Sequence, residues 1–207
     1  MKISTGKFNL IRPAMLLAIT CMLFTSGCAR YARNVNTLYE PAATIRSGSG
    51  DIYIVIPESQ QTRSPDIKWV LGDVRNDDNK KIDEILSPRS AAEILQAAFG
   101  LEFKRAGYTN LPVTKRTGSE QNLIDLTKTV IELEQISDLA DIKAKCRVTV
   151  GIDVIRKGQL IKRLEYTTAS SKTDIKDRDM LVSAVLQDAL QSIMIKAIPD
   201  LHALFNR

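Results

Sequence analysis

Between residues 145 and 154 the chain alternates. Cys146, Val148, Val150, Ile152 and Val154 are apolar, while Lys145, Arg147, Thr149, Gly151 and Asp153 are polar or small. A period of two puts one set on each face of a β-strand, so the pattern predicts a strand with one buried side. Its partner runs through Leu160, Leu164, Tyr166 and Thr168, and the pattern also discriminates between turns. A two-residue Lys157-Gly158 turn would set Ile152 opposite Arg163 and Val150 opposite Glu165, with charges on the core face. A three-residue Arg156-Lys157-Gly158 loop sets Val154 opposite Leu160, Val150 opposite Leu164 and Val148 opposite Tyr166, with Gly158 supplying the positive φ. The expected loop therefore has three residues. Lys162 then falls opposite Ile152, its long stem reaching an edge.

Other strands follow from shorter runs. Ile52-Tyr53-Ile54-Val55-Ile56 is β-rich and stopped by Pro57; Ile67–Leu71 places Ile67, Trp69 and Leu71 on one face. Tyr108 to Val113 reads as a short strand. Thr129 to Ile136 reads as another, with Ile131 and Leu133 inward and Glu132 and Glu134 outward; Asn122–Leu126 either joins it or forms a turn. Residues 114–122 and Ser137 to Asp141 read as loops.

Two stretches switch to a helical period. The first starts at Ser87-Pro88 or at the capping-box pattern Ser90-Ala91-Ala92-Glu93, buries Ile94, Leu95, Ala98, Phe99 and Leu101, and stops at Gly107. The second runs from about Ile175 to Ile198, capped by Thr173 or Asp174 and ended by Pro199. Its stripe is Leu181, Val182, Val185, Leu186, Ala189, Leu190, Ile193 and Ala197. The expected fold class is α+β: a mainly antiparallel sheet of about four to six strands with two long helices packed on one face. The solvated face would carry Lys145, Arg147, Thr149, Asp153, Arg163, Glu165 and Thr167. The domain would span 51–198, followed by a tail at 199–207.

The N-terminus has a different logic. Lys2, Lys7 and Arg12 precede an apolar core from Ala14 to Phe24, which is too short to span a bilayer. The stretch ends on Thr25-Ser26-Gly27-Cys28. A basic start, a short apolar core and a small-residue end read as a secretory signal over residues 1–27. A cysteine directly after Ser-Gly resembles the lipobox of bacterial lipoproteins, where the new N-terminal Cys28 is lipidated. Thr25 stands where that motif favours leucine. Residues 28–50, with Pro41 and Ser47-Gly48-Ser49-Gly50, read as a flexible tether; Tyr31, Leu38 and Tyr39 offer a short docking segment as the alternative.

Processing at Cys28 changes the composition. The chain has 29 Lys+Arg and 24 Asp+Glu, and removing Lys2, Lys7 and Arg12 leaves 26 against 24. Near-neutrality with scattered basic pairs argues against nucleic acid as a partner. Cys21 leaves with the leader and Cys28 carries lipid, so Cys146 has no cysteine to pair with and reads as a core residue. His202 is the one histidine, so no His/Cys metal cluster is expected and only His202 could serve a nucleophile.

The remaining candidates are weak in chemistry. Asp73-Val74-Arg75-Asn76-Asp77-Asp78-Asn79 suggests calcium, but counted from Asp73 it has Arg75 at loop position three and Asp78 where the sharp turn needs glycine; it reads as an acidic loop between strand and helix. Glu132 and Glu134 share a strand face, yet an acid/base pair needs burial and a pocket. No phosphate loop or Gly-x-Ser-x-Gly elbow occurs. The expectation is a protein without catalytic residues, metal or cofactor.

Cys28, a strand carrying Asp73-x-Arg75, a helix ending Arg105-Ala106-Gly107-Tyr108, then strands and a C-terminal helix together resemble the YajG family of small bacterial lipoproteins. The resemblance implies an outer-membrane lipoprotein with no catalytic residues to carry over. Similar shapes occur in auxiliary lipoproteins of ABC lipid-transport systems and in the lipoprotein partner of lipopolysaccharide assembly. Ala29, rather than an aspartate, resembles the pattern of lipoproteins sent to the outer membrane. The implied partners are membrane lipid, through Cys28 acylation, and an envelope protein. The alternative function is auxiliary to envelope lipid or lipopolysaccharide transport, which needs an apolar groove lined by Trp69, Tyr53 or Tyr166.

Overall fold

The long alternating stretches become long strands. The computed structural model describes residues 33–36, 38–113, 118, 121–137, 141–175 and 178–206, all within one unit, Ala32–Arg207. In chain order the elements are β1 (Arg33–Asn34), β2 (Asp51–Val55), β3 (Trp69–Asn76), β4 (Lys81–Ser87), α1 (Ala91–Ala106), β5 (Thr109–Val113), β6 (Asn122–Ser137), β7 (Ile142–Arg156), β8 (Gln159–Asp174) and α2 (Arg178–Phe205). Most of the loops expected at 114–122 and 137–141 lie outside the described residues.

β6 is the hub of an eight-stranded mixed sheet. β7 pairs antiparallel along its whole length and β8 continues the meander. The other edge of β6 is shared end to end. β2 runs parallel to Leu123–Asp125 and β3 runs parallel to Leu133–Ser137. β5 extends β2 in parallel, β4 extends β3 antiparallel, and β1 pairs with β4 in parallel. The class is the expected α+β, with two long helices packed against a sheet that is antiparallel over most of its ladder. The strands beyond the expected six are β1 and β4. β4 hides in the charged run Lys80-Lys81-Ile82-Asp83-Glu84, although its Ile85 is fully buried. The acidic stretch is therefore no strand-to-helix loop. Asp73–Asn76 completes β3, and a tight turn follows in which Asn76 Oδ1 accepts from Lys80 N at 2.8 Å and Asn79 takes φ 60°.

The hairpin β7–β8 departs from its expected register. Its turn has two residues, Lys157 and Gly158, at φ 51° and 76°, with Arg156 opposite Gln159. This is the turn type whose twist matches the flanking strands, and it needs positive φ at both positions. The parity problem is solved by a bulge instead of a longer loop. Ile155 pairs with Leu160, then Val154 with Lys162, so Ile161 is the extra residue. Beyond it Ile152 faces Leu164 and Val150 faces Tyr166, which puts apolar side chains on the core face in the middle of β8; Lys162, Lys172 and Asp174 take the same parity toward its ends, opposite Val154, Ala144 and Ile142.

α1 begins at Ser90, where both halves of the capping box form: Glu93 N donates to Ser90 Oγ at 3.1 Å and Ser90 N to Glu93 Oε2 at 2.9 Å. Gly107 closes the helix at φ 103°. α2 does not stop at Ile198; it runs through Pro199 to Phe205. Proline removes the N–H that would bond Ile195 O, but Pro199 and Ile195 lie on the exposed side. Beyond the proline, Leu201 and Phe205 are buried, and full burial of such a side chain contributes about 1.5–3 kcal/mol. Phe205 meets Phe103 at 6.4 Å between ring centroids, and Phe103 meets Tyr108 edge-on at 5.8 Å. By length and composition α2 could cross a membrane. Its stripe is spent on the core, since Val182, Val185, Leu186, Ala189, Leu190, Ile193 and Ala197 are buried against the sheet and α1.

The spacer expected over 28–50 is, from residue 33 onward, part of the fold. Val35, Tyr39 and Ala43 are buried in the main core, although Leu38 is exposed. This strap crosses both helices. Glu40 O accepts from Gln187 Nε2 at 3.1 Å and Gln191 Nε2 at 2.9 Å, and Arg105 donates to Pro41 O. Buried Glu102 accepts from the Tyr39 hydroxyl, from Ala42 N at 2.6 Å and from Ala43 N at 3.2 Å. Gly48 N then bonds Ala106 O at 2.8 Å as the chain turns into β2. Gly48 sits where a Cβ would meet the Tyr108 ring, and Ser47 Oγ contacts His202.

Candidate functional site

The outer face of the sheet, away from the helices, carries the charge. Side chains at alternate positions of β3, β6 and β7 point there because their neighbours Val74, Leu133 and Cys146 fill the core. Register sets Asp73 beside Glu134 and Glu134 beside Lys145. The result is a line of alternating charge across four strands. Lys81 Nζ lies 2.9 Å from both Glu84 and Asp73; Arg75 lies 3.4 Å from Asp73 and 3.4 Å from Glu134; Lys145 Nζ lies 3.2 Å from Glu134. The hydrogen bonds that Lys81 donates to Asp73, then to Glu84, push its ammonium above its ordinary value. Solvent screens such exposed pairs, so each contributes little. The network orients the side chains more than it holds the fold.

Beside this line lies an open concavity of about 520 Å³ bordered by Glu132, Glu134, Lys145, Arg147, Ala169 and Ser171. Glu132 and Arg147 face each other across the strands and, among the described residues, form no ion pair. The structure thus brings together two sequence candidates, the Asp73/Arg75 pair and the Glu132/Glu134 pair. Both oxygens of Glu134 are engaged by cations, so Glu134 and Glu132 do not form a proton-sharing dyad.

The other candidates lie elsewhere. His202 joins the strap to α2, with Tyr108 Oη 2.8 Å from Nδ1 and Ser47 Oγ 3.3 Å from Nε2. Ser47 is exposed and the contacts of His202 include no carboxylate, so a charge-relay geometry is not built. Cys146 is buried and burial pushes its thiol up to about 12, which suits a core residue and opposes nucleophilic use. Among the described residues no group of three or more His, Cys, Asp and Glu could hold a metal. Trp69 packs on the main core with its indole donating to Thr62 Oγ1 at 2.9 Å. Tyr166 also packs there and donates to Asp200 at 2.7 Å. Tyr53 instead joins Val55, Val113, Leu123 and Ile155 in a small apolar cluster on the opposite face. Trp69 and Tyr166 thus pack on the main core and Tyr53 on the smaller cluster. Cys28 lies outside the described residues.

Sequence reasoning missed Glu102, Lys81 and Glu84. A glutamate on an amphipathic helix reads as solvated, and Lys81 and Glu84 belong to the unrecognised β4. Leu101, expected on the buried face of α1, is 41% exposed, and Glu102 takes the buried position instead; the one available signal was that Glu102 falls three and four residues after Phe99 and Ala98, on the apolar stripe.

No protein-family model and no curated protein matches the chain in sequence. Among solved structures it is similar to a DUF330 protein from Xanthomonas campestris, at 11% identity and TM-score 0.46, covering 85% of this chain and 95% of that one. It is also similar to a minor lipoprotein from Acinetobacter baumannii, at 12% identity and TM-score 0.35, covering 72% and 92%. Rare lipoprotein B from Shewanella oneidensis follows at 9% identity and TM-score 0.29, covering 65% and 92%. None of these passes a residue role to this chain, and the YajG placement rests on the sequence resemblance alone.

Proposed function

We propose that the chain is a non-enzymatic lipoprotein of the bacterial envelope, anchored by lipid on Cys28 and serving as a binding or assembly module. The observation that carries this reading is the short apolar core ending on Thr25-Ser26-Gly27-Cys28 behind a basic start. Residues 1–27 are then the removed signal and Ala29 directs the protein to the outer membrane, with the domain facing the periplasm. The charged outer face supports a protein partner over a lipid cargo, because half-exposed ion pairs and the facing Glu132 and Arg147 favour polar, orientation-specific contacts.

The test compares wild type with Cys28→Ala by membrane fractionation and native pull-down. Loss of membrane association, with loss of the acyl mass from the N-terminal peptide, is expected in the variant. Unchanged fractionation would count decisively against lipidation. A defined envelope protein should co-purify with wild type and be weakened by charge reversal at Glu132 and Arg147; lipid co-purifying instead would overturn the protein-partner reading.

A further inference from the structure

The docked strap removes most of the expected leash. If Cys28 is the lipidated residue, as proposed above, four residues separate it from Arg33, where β1 begins. Fully extended, that stretch reaches no more than about 18 Å in any conformation. The fold must therefore sit at the headgroups, and the direction of β1 says which end is nearest.

β1 is parallel to β4, with Arg33 beside Ile85 and Asn34 beside Leu86. Traced back toward Cys28, the strand points along β4 to Lys81 and the β3–β4 turn. The same end of the sheet holds Ser137 of β6, Ile142 of β7 and Asp174 of β8, as the registers Asn76–Ser137, Ser137–Ile142 and Ile142–Asp174 require. Two of the most exposed large apolar side chains also lie here: Ile175, 75% exposed, directly after β8, and Met180, 69% exposed, in the first turn of α2. Ile82, on β4, adds a third at 41%. The turn end also exposes Leu160 (48%) and Ile161 (49%), so chain connectivity selects the end, and Ile175 and Met180 are the more exposed apolar side chains there.

We infer that this end of the sheet is a membrane-contact surface that rests on the phospholipid bilayer holding the protein's own anchor, with Ile175 and Met180 at the headgroup boundary. Charges at this end are mixed: Lys80, Lys81, Lys143 and Lys172 stand among Asp77, Asp78, Asp141 and Asp174. Attraction to anionic lipid is therefore not what orients the domain. The short leash does so, aided by apolar side chains that can enter the interface. The Lys157-Gly158 turn lies at the far end of β7, about 50 Å away along fifteen strand residues. The charged sheet face then looks sideways along the membrane, open to a neighbour in the periplasm.

The test uses the full, acylated chain purified from membranes and placed in phosphatidylethanolamine–phosphatidylglycerol vesicles. One fluorophore is attached at Ile175→Cys and, in a second sample, at Gln159→Cys; buried Cys146 and thioether-linked Cys28 leave the new thiol as the reactive one. Shallow spin-labelled lipid should quench the label at 175 and leave that at 159 bright, in high salt as in low. Equal brightness at both sites, or quenching at 159 alone, overturns the orientation while the acyl mass still upholds the anchor. A chain with no acyl mass overturns both.

Discussion

Glu102→Ala should release the strap. The carboxylate is 1% exposed and accepts from Tyr39 Oη, Ala42 N and Ala43 N. Truncation leaves two buried donors, the Tyr39 hydroxyl and Ala43 N, without an acceptor. At about 1–3 kcal/mol for each buried donor left unpaired, the range is about 2–6 kcal/mol. The upper part is not reached, because the strap can peel away and rehydrate its donors at the cost of exposing Val35, Tyr39 and Ala43. The expected loss is about 3–4 kcal/mol in urea unfolding. Glu102→Gln keeps one carbonyl oxygen for Tyr39 and Ala42 and should lose about half as much. Tyr39→Phe removes a single donor and should cost about 1 kcal/mol. The double variant should fall short of the sum of the singles, since both act on one bond. The pH arm has a definite sign. Burial first, then the Glu102 hydrogen bond, raises the Tyr39 hydroxyl above its ordinary 10.0. Its contribution is present in full below pH 10 and lost as pH rises toward the folded value, and Tyr39→Phe should erase that alkaline loss. Fast amide exchange at Ala42 and Ala43 in wild type, or a Glu102→Ala loss under about 0.5 kcal/mol, would refute the reasoning.

Two further predictions concern local geometry. Burial would push the Glu93 carboxyl up, but hydrogen bonds from Thr62 and Ser90 outweigh it and hold the group below its ordinary 4.5; its stabilisation is present above that pH and lost as pH falls through the lower folded value. Glu93→Gln should thus cost about 1 kcal/mol at pH 7, and a stability gap that stays constant into acid would disprove the linkage. Lys157→Asn places a residue tolerant of positive φ in the β7–β8 turn and should stabilise by about 0.5–1 kcal/mol; a lowered melting temperature would argue against a two-residue turn.

Alternation was enough to place β7 and the C-terminal half of β6, and the period of 3.6 was enough to find both helices and the caps Ser90 and Gly107. Leu101 was misplaced on the buried stripe of α1, and α2 starts at Arg178, beyond the expected caps Thr173 and Asp174, which end β8. These signals are local: each residue's face follows from its immediate neighbours. The β7–β8 pairing shows the limit. Alternation put Leu160, Leu164, Tyr166 and Thr168 on the core face; this held for the last three, while the bulge turns Leu160, 48% exposed, to the other face. The choice between a longer loop and a bulge fell to the turn's own backbone twist. Pro199 reads as a helix stop until Phe205 has Phe103 to pack against. β4 looks like a charged loop until Lys81 meets Asp73 across the hairpin.

The candidate site divides in the same way. The sequence by itself determined that Glu132 and Glu134 share an outward face and that Asp73 and Arg75 lie together on one stretch, because the pleat settles both. That Asp73, Arg75 and Glu134 meet in one ion-paired line, with Glu132 beside it, was decided by the parallel joint of β3 on β6, a pairing between segments some sixty residues apart. The same holds for the strap. Val35, Tyr39 and Ala43 have no strand or helix period, and the acceptor that holds them, Glu102, lies about sixty residues further on. Local pattern determined which face each residue shows; only the tertiary structure decided which polar groups leave water, because desolvation depends on partners that the neighbouring sequence does not contain.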